Sequence, residues 1–212
     1  GPSCSGKTTL ARQIQALVPH CVVAHQDDFF RPESKIPIDP VTGLANWDCN
    51  EAIDWPRLTA ALLHFRQFGR LPEYRLTELP SSTEPHLCLS ASAREQLSPL
   101  VQTLSHSTQA ILLVDGFLLF HQPTTAQLFD ARILISASYE TIKERRLNRP
   151  NYQTLEGWWV DPPNYFDLIV WPHYLAHLPA SEAHAGLVIK SDHQSVNEMV
   201  TQVVSYMAQC RA

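Results

Sequence analysis

Gly1-Pro2-Ser3-Cys4-Ser5-Gly6-Lys7-Thr8 opens the chain and matches the phosphate-loop pattern GxxxxGK[ST] at every fixed position. Binding a phosphate needs several backbone N–H groups converging on one point, and glycines let the backbone bend that closely. The apolar-periodic stretch 9–18 then predicts a helix whose positive end faces the anion. Within this cradle Gly1, Ser3, Ser5, Gly6 and Thr9 are candidate nucleotide contacts. Lys7 is expected to reach the β- and γ-phosphates, and the Thr8 hydroxyl to sit on Mg²⁺. Two of the seven glycines of the chain lie here; such a match arises by chance in about one chain per hundred of this length. A phosphate loop normally follows a buried strand, so a central strand is expected ahead of Gly1, missing from the sequence as it stands.

Outward from the loop, strands alternate with helices. Cys21–His25, 110–115, 132–135 and 187–189 are short apolar runs rich in β-branched residues and predict buried strands. Helices are predicted from Asp54, a cap, to Gly69, a stop, and over 139–149, ended by Pro150. A further helix is predicted over 195–209. This order implies an α/β fold with a parallel sheet covered on both faces. The length of 212 residues predicts a single domain, 1–212. The stretch 70–109, rich in Pro and Ser with one candidate helix at 91–104, reads as a variable insertion.

Composition bounds the function. Lys+Arg 16 against Asp+Glu 21 gives a net charge of -5, so the overall basic footprint of a nucleic-acid binder is absent. No apolar run approaches the roughly 18–20 residues that span a bilayer, and no signal-peptide pattern opens the chain. Five widely spaced cysteines without a CxxC predict reduced thiols and a cytoplasmic setting, with neither a disulfide framework nor a zinc site.

In parallel α/β sheets ligands bind beyond the carboxyl ends of the strands. Asp27 and Asp28 follow the strand at 21–25, and Asp115 ends the strand at 110–115. Beside a phosphate loop, such carboxylates can orient Mg²⁺ or take the proton of an acceptor hydroxyl; the plain alternative is that they only cap turns. Arg145, Arg146 and Arg149 crowd one helix with Lys143. Next to a phosphate loop they are candidates to neutralise phosphoryl oxygens, against the alternative of a solvated face paired with Glu140 and Glu144.

Four further motifs follow in order: QDDFFRP at 26–32, Trp47-Asp48 after Gly43, DGFLLF at 115–120 and DPPNYFDLIVWPHY at 161–174. As a set they resemble the nicotinamide riboside kinases, a branch near the uridine kinases. The resemblance runs from Gly1 to about Tyr174. It implies a P-loop NTPase fold of the nucleoside-kinase type, a three-layer parallel sheet. It also implies ATP- and Mg²⁺-dependent phosphorylation of the ribose 5′-hydroxyl of nicotinamide riboside, giving the mononucleotide for NAD synthesis. Nicotinic acid riboside stays open as a second substrate, and the implied partners are a small nucleoside and ATP, with no nucleic acid or membrane. Carried over by position, Asp27 resembles the general base, and Thr8, Asp27 and Asp115 the Mg²⁺ environment. Asp48 and Arg146 resemble the pair that grips the ribose hydroxyls. Phe30 and Tyr152 resemble the aromatic plates around the nicotinamide, with Trp47 where the family usually has Tyr. Asp161 resembles the carboxylate that reaches the base, and Arg145 and Arg149 nucleotide-side lid residues, within a lid and base-binding region at about 139–165. The physical chemistry agrees: nicotinamide riboside carries a cationic pyridinium, which aromatic faces attract by about 0.5–2 kcal/mol. Plain core packing is the alternative for the three aromatics. The chain departs from the family in the long stretch 70–109 and in extra residues, including Trp158 and Trp159, ahead of Asp161. The rival readings are a uridine/cytidine kinase and a nucleotide-binding module without turnover.

Overall fold

Alternating apolar faces build two parallel strand pairs in the computed structural model, which describes residues 1–73, 89–105, 110–149, 152–153 and 156–211. Helix α1 (Lys7–Leu17) leads to strand β1 (Cys21–His25). Helix α2 (Trp55–Phe68) starts where the Asp54 carboxylate accepts the Arg57 N–H, and ends at Gly69 with φ 67°. Helix α3 (Ala91–Ser105) precedes β2 (Ile111–Asp115), the short α4 (Pro123–Ala126) and β3 (Ile133–Ser136). Helix α5 (Tyr139–Leu147) is capped by the Ser138 hydroxyl, which accepts the Thr141 N–H. An antiparallel hairpin, β4 (Tyr152–Gln153) with β5 (Trp158–Trp159), comes next. A π-helical turn at Phe166–Val170 runs into α6 (Trp171–His184), and β6 (Leu187–Lys190) and α7 (Val196–Arg211) close the chain.

The expected strands and helices are present, with ends moved by one or two residues. Residues 74–88 and 106–109 of the expected insertion, and the Pro150 stop, lie outside the described residues. Helix α6 and the hairpin were not legible. Pro172 and Pro179 argue against a helix there, yet α6 continues from the π-helical turn with Pro172 in its first turn and Pro179 inside it.

Strand β1 pairs with β2 in parallel, Cys21 opposite Ile111 through His25 opposite Asp115. Strand β3 pairs with β6, Ile133 opposite Leu187 through Ser136 opposite Lys190. Because side chains alternate along a strand, the two faces of β2 go to different clusters. Ile111 and Leu113 join Leu10, Ile14, Leu97, Val200 and Val203 from α1, α3 and α7. Leu112 and Val114 join Phe29, Leu58, Leu62 and Leu118 around α2. Between the two strand pairs lies a cavity of about 980 Å³, whose walls include Leu10, Ile14, Leu113, Ile133, Ile135 and Met207. Gly1 sits at its head, its amino group 3.4 Å from the Gly116 carbonyl oxygen, where a Cβ would overlap the Ile135 carbonyl. Among the described residues no helix is long and apolar enough to cross a membrane.

Candidate active site

The phosphate loop turns on two left-handed residues, Cys4 (φ 61°) and Gly6 (φ 97°). A left-handed backbone costs an L-residue roughly 1–2 kcal/mol, which Gly6 avoids. Helix α1 begins at the next residue, so its free N–H groups face the loop. Ser5 is fully buried and its hydroxyl has no hydrogen-bond partner among the described residues. The Lys7 ammonium donates to the Pro2 carbonyl at 2.7 Å, folded over its own loop. Thr9 lies in the first turn of α1, and the Ser3 hydroxyl lies 3.8 Å from the Cys4 thiol.

The register of β1 on β2 sets His25 opposite Asp115 at the strand ends, against this loop. The Thr8 hydroxyl donates to Asp115 Oδ2 at 2.5 Å, and His25 Nδ1 lies 3.2 Å from the same oxygen. Burial pushes the Asp115 carboxyl up, but the His25 bond, the Lys7 charge and the Thr8 bond outweigh it and hold it at about 2. Asp27 and Asp28 lie in a short 3₁₀ turn directly after β1. Asp28 is fully buried, whereas Asp27 reaches solvent, so of the two Asp27 is accessible to a substrate. Protein crowding around Asp27 disfavours its charged form and the Asp115 charge adds to this; against Lys7, His25 and Arg149, the carboxyl rises to about 6. A Cβ at Gly116 would meet the Gln26 side-chain oxygen at 2.6 Å. That oxygen accepts the N–H groups of Phe117 and Leu118, so Gly116 lets the loop after β2 close onto Gln26.

The second half of the site is built on α5, the hairpin and the loop 45–49. Arg146 is buried and binds both oxygens of Asp161, at 2.6 and 2.9 Å. The Trp159 indole N–H donates to Asp161 at 3.0 Å. Arg146 also lies over the rings of Tyr152 (4.6 Å) and Tyr165 (5.7 Å). Burial pushes the Asp48 carboxyl up, the Arg146 charge opposes this and the Asp161 charge reinforces it; the net shift is upward. Arg146 is thus bonded to Asp161 and acts on Asp48 through its charge. Phe30 meets Trp47 edge-on at 5.3 Å and stacks on Phe117 at 5.8 Å; Trp47 in turn meets Trp159 at 5.6 Å. The ring partners of Phe30 are therefore Trp47 and Phe117, not Tyr152. Tyr152 instead lies under Arg149 (4.1 Å) and Arg146, with its hydroxyl 3.5 Å from the Cys4 thiol. Arg145 donates to the Ser191 hydroxyl at 3.1 Å and reaches the Cys4 carbonyl at 3.5 Å, alongside the phosphate loop.

Several site residues escaped the sequence reading. His25 borders the quoted acidic motif and Gln26 opens it, but neither was given a role; both pin strand-end loops. The Tyr165 hydroxyl accepts the Trp47 N–H at 3.1 Å and donates to the Ala45 carbonyl at 2.9 Å. Asn46, also buried, accepts the Asp48 N–H at 3.1 Å. Tyr165 stood inside a quoted motif; Asn46 carried no signal beyond its place beside Trp47-Asp48.

The donor set near Asp115 suits Mg²⁺. That ion prefers hard oxygen ligands, takes one or two carboxylates and fills its remaining positions with water and phosphate oxygens. Thr8, Asp115 and Asp27 supply such oxygens, and among the described residues no group of three or more His, Cys, Asp or Glu side chains forms a cage of its own.

No protein-family model matches the chain. Individual proteins do. It is 32% identical over 194 residues to the nicotinamide riboside kinase of Schizosaccharomyces pombe, covering 91% of this chain and 80% of that protein. The Saccharomyces cerevisiae nicotinamide riboside kinase is also 32% identical over 194 residues, with 91% and 78% covered. Human nicotinamide riboside kinase 1 is 33% identical over 179 residues, with 84% and 73% covered.

Proposed function

The chain belongs to the nicotinamide riboside kinase family, and from that premise we propose how its residues phosphorylate nicotinamide riboside. It is a nucleoside kinase, and that activity implies ATP as the phosphoryl donor and a small nucleoside as the acceptor. The observation that carries the mechanism is Asp27, open to solvent beside Asp115 and the phosphate loop, with its carboxyl near 6.

Asp27 accepts the proton of the ribose 5′-hydroxyl as that oxygen attacks the γ-phosphorus. A base with a pKa near 6 is ionised at neutral pH and still takes up a proton. Lys7 leaves the Pro2 carbonyl and moves onto the β- and γ-phosphates, while the loop N–H groups from Ser3 to Gly6 and the hydroxyls of Ser3, Ser5, Thr8 and Thr9 orient the nucleotide. Thr8, Asp115 and Asp27 would hold Mg²⁺, which supplies charge neutralisation at the phosphates when bound. Arg145 and Arg149 approach the nucleotide from α5. Asp48 and Arg146 hold the ribose hydroxyls, and Phe30, Trp47 and Tyr152, with Asp161, surround the cationic ring. Nicotinic acid riboside is a second acceptor, and the mononucleotide product feeds NAD synthesis, in the cytoplasm. The support for that compartment is that Cys4, Cys21, Cys49 and Cys210 are free thiols.

The finer fold we assign is the three-layer P-loop kinase sheet, as one domain over 1–212 with a variable stretch at 70–109 and a lid at 139–165. The support for that sheet is the helical clusters on both faces of β2.

The test is kcat/KM for nicotinamide riboside and for uridine in wild type, Asp48→Ala, Tyr152→Ala and Asp161→Asn. Both nucleosides share the ribose, so Asp48→Ala should harm both alike. The other two should harm nicotinamide riboside more, by about 5- to 150-fold. A wild-type preference for uridine, or equal losses in Asp161→Asn, would replace this pocket assignment with that of a uridine kinase.

A further inference from the structure

Asn46 is 5% exposed, and both ends of its side-chain amide are engaged. The Asp48 backbone N–H, 3.1 Å away, can only donate, so the atom facing it is the amide oxygen. The amide nitrogen is then the atom 2.8 Å from His173 Nε2. An amide nitrogen can only donate, so His173 Nε2 must present a lone pair. The Asn46 backbone N–H is spent on the Pro37 carbonyl at 2.7 Å, which anchors the residue from a third side. The polarity of the whole chain is therefore determined: Asp48 N–H to Asn46, Asn46 to His173.

His173 lies in the first turn of α6, far in sequence from the loop it supports. We infer that His173 is a positioning residue for nucleoside binding, holding the Asp48 backbone in register through the buried Asn46 amide. The inference rests on the reading that Asp48 grips the ribose. Loss of the Nε2 acceptor leaves a buried NH₂ without its partner. Asn46 can then recover a partner only by turning, which removes its oxygen from the Asp48 N–H. The Asp48 carboxylate would shift against Arg146, and the two would no longer meet the ribose hydroxyls at a fixed spacing. The phosphate loop is not touched by this chain of bonds, so the effect should fall on the nucleoside and spare the nucleotide.

The experiment compares His173→Gln with His173→Asn, measuring KM separately for nicotinamide riboside and for ATP, with the melting temperature as a control on folding. A Gln side chain can put an acceptor oxygen where Nε2 sits; Asn is one methylene too short. His173→Asn is expected to raise nucleoside KM by about 3- to 10-fold, the loss of one buried hydrogen bond, with ATP KM unchanged. His173→Gln is expected to restore most of the loss. In an Asp48→Ala background His173→Asn should add nothing further, because it acts through Asp48. Equal losses in Gln and Asn, a matching rise in ATP KM, or a full additional loss in the Asp48→Ala background would each overturn the inference. If Asp48→Ala raises nucleoside KM while His173→Asn does not, the inference alone fails. If Asp48→Ala leaves nucleoside KM unchanged, the ribose reading fails and takes the inference with it.

Discussion

Asp27 must be ionised before it can take a proton, and its surroundings put that transition at about 6. Below that pH kcat/KM should fall by about tenfold per unit as the carboxylate is lost. Asp27→Asn should lower kcat by about 10²–10⁴-fold with ATP binding retained; turnover within threefold of wild type would remove Asp27 from the role. The stability effect has the opposite sense to the catalytic one. Folding raises this carboxyl from its ordinary 3.8 to about 6, so the folded state holds the proton more tightly than the unfolded chain. Its favourable contribution is complete below pH 4 and is lost as the pH rises through 6. Relative to wild type, Asp27→Asn should therefore melt higher at pH 8 than at pH 4, which thermal scans at the two pH values would check. On this proposal the base is kept at a cost in stability.

At the scale of single elements, local signals were the legible part. Asp54, Pro56 and Gly69 bracket α2 in the sequence, and the structure uses Asp54 as the cap and Gly69 as the left-handed stop. Asp54→Ala should cost about 1 kcal/mol of stability, read as a lower denaturation midpoint, with both KM values unchanged because the Asp54 carboxylate caps α2 through the Arg57 N–H and is not among the residues assigned to substrate or nucleotide. The placement of the loop sequence ahead of α1 and of Asp27 and Asp115 at the strand ends was equally legible. What was not legible depended on tertiary contacts. Arg146 pairs with Asp161 beyond the hairpin, and Tyr152, paired with Trp159 in the hairpin, turns toward Arg149 and Cys4. The roles of Tyr165 and Asn46 come from hydrogen bonds to a loop more than a hundred residues away in one case and to the next residue but one in the other. Neither leaves a pattern in a single sequence.

Across the whole molecule, β2 and β3 face each other over an apolar cavity of about 980 Å³. A strand in that space would satisfy backbone groups along both edges and cover the apolar walls supplied by α1 and α7. Joining six alternating Val and Ile residues ahead of Gly1 should raise the melting temperature by about 5 °C or more, since each kcal/mol is worth about 2–4 °C at this size. Six alternating Glu and Lys residues at the same point should give no such rise. Equal melting temperatures for the two extensions would show that no strand enters between β2 and β3.

The pairing of β1 with β2 also governs how the protein reaches its native state. Adjacent in the sheet, Cys21 and Ile111 are about ninety residues apart along the chain. The contact that brings His25 to Asp115, and with it the Asp115 oxygen to Thr8, joins segments about ninety residues apart. Loop-closure entropy must be met before such a contact returns any energy. Refolding should accordingly be limited by this closure, with α1 and α7 forming early and nucleotide-binding competence appearing last.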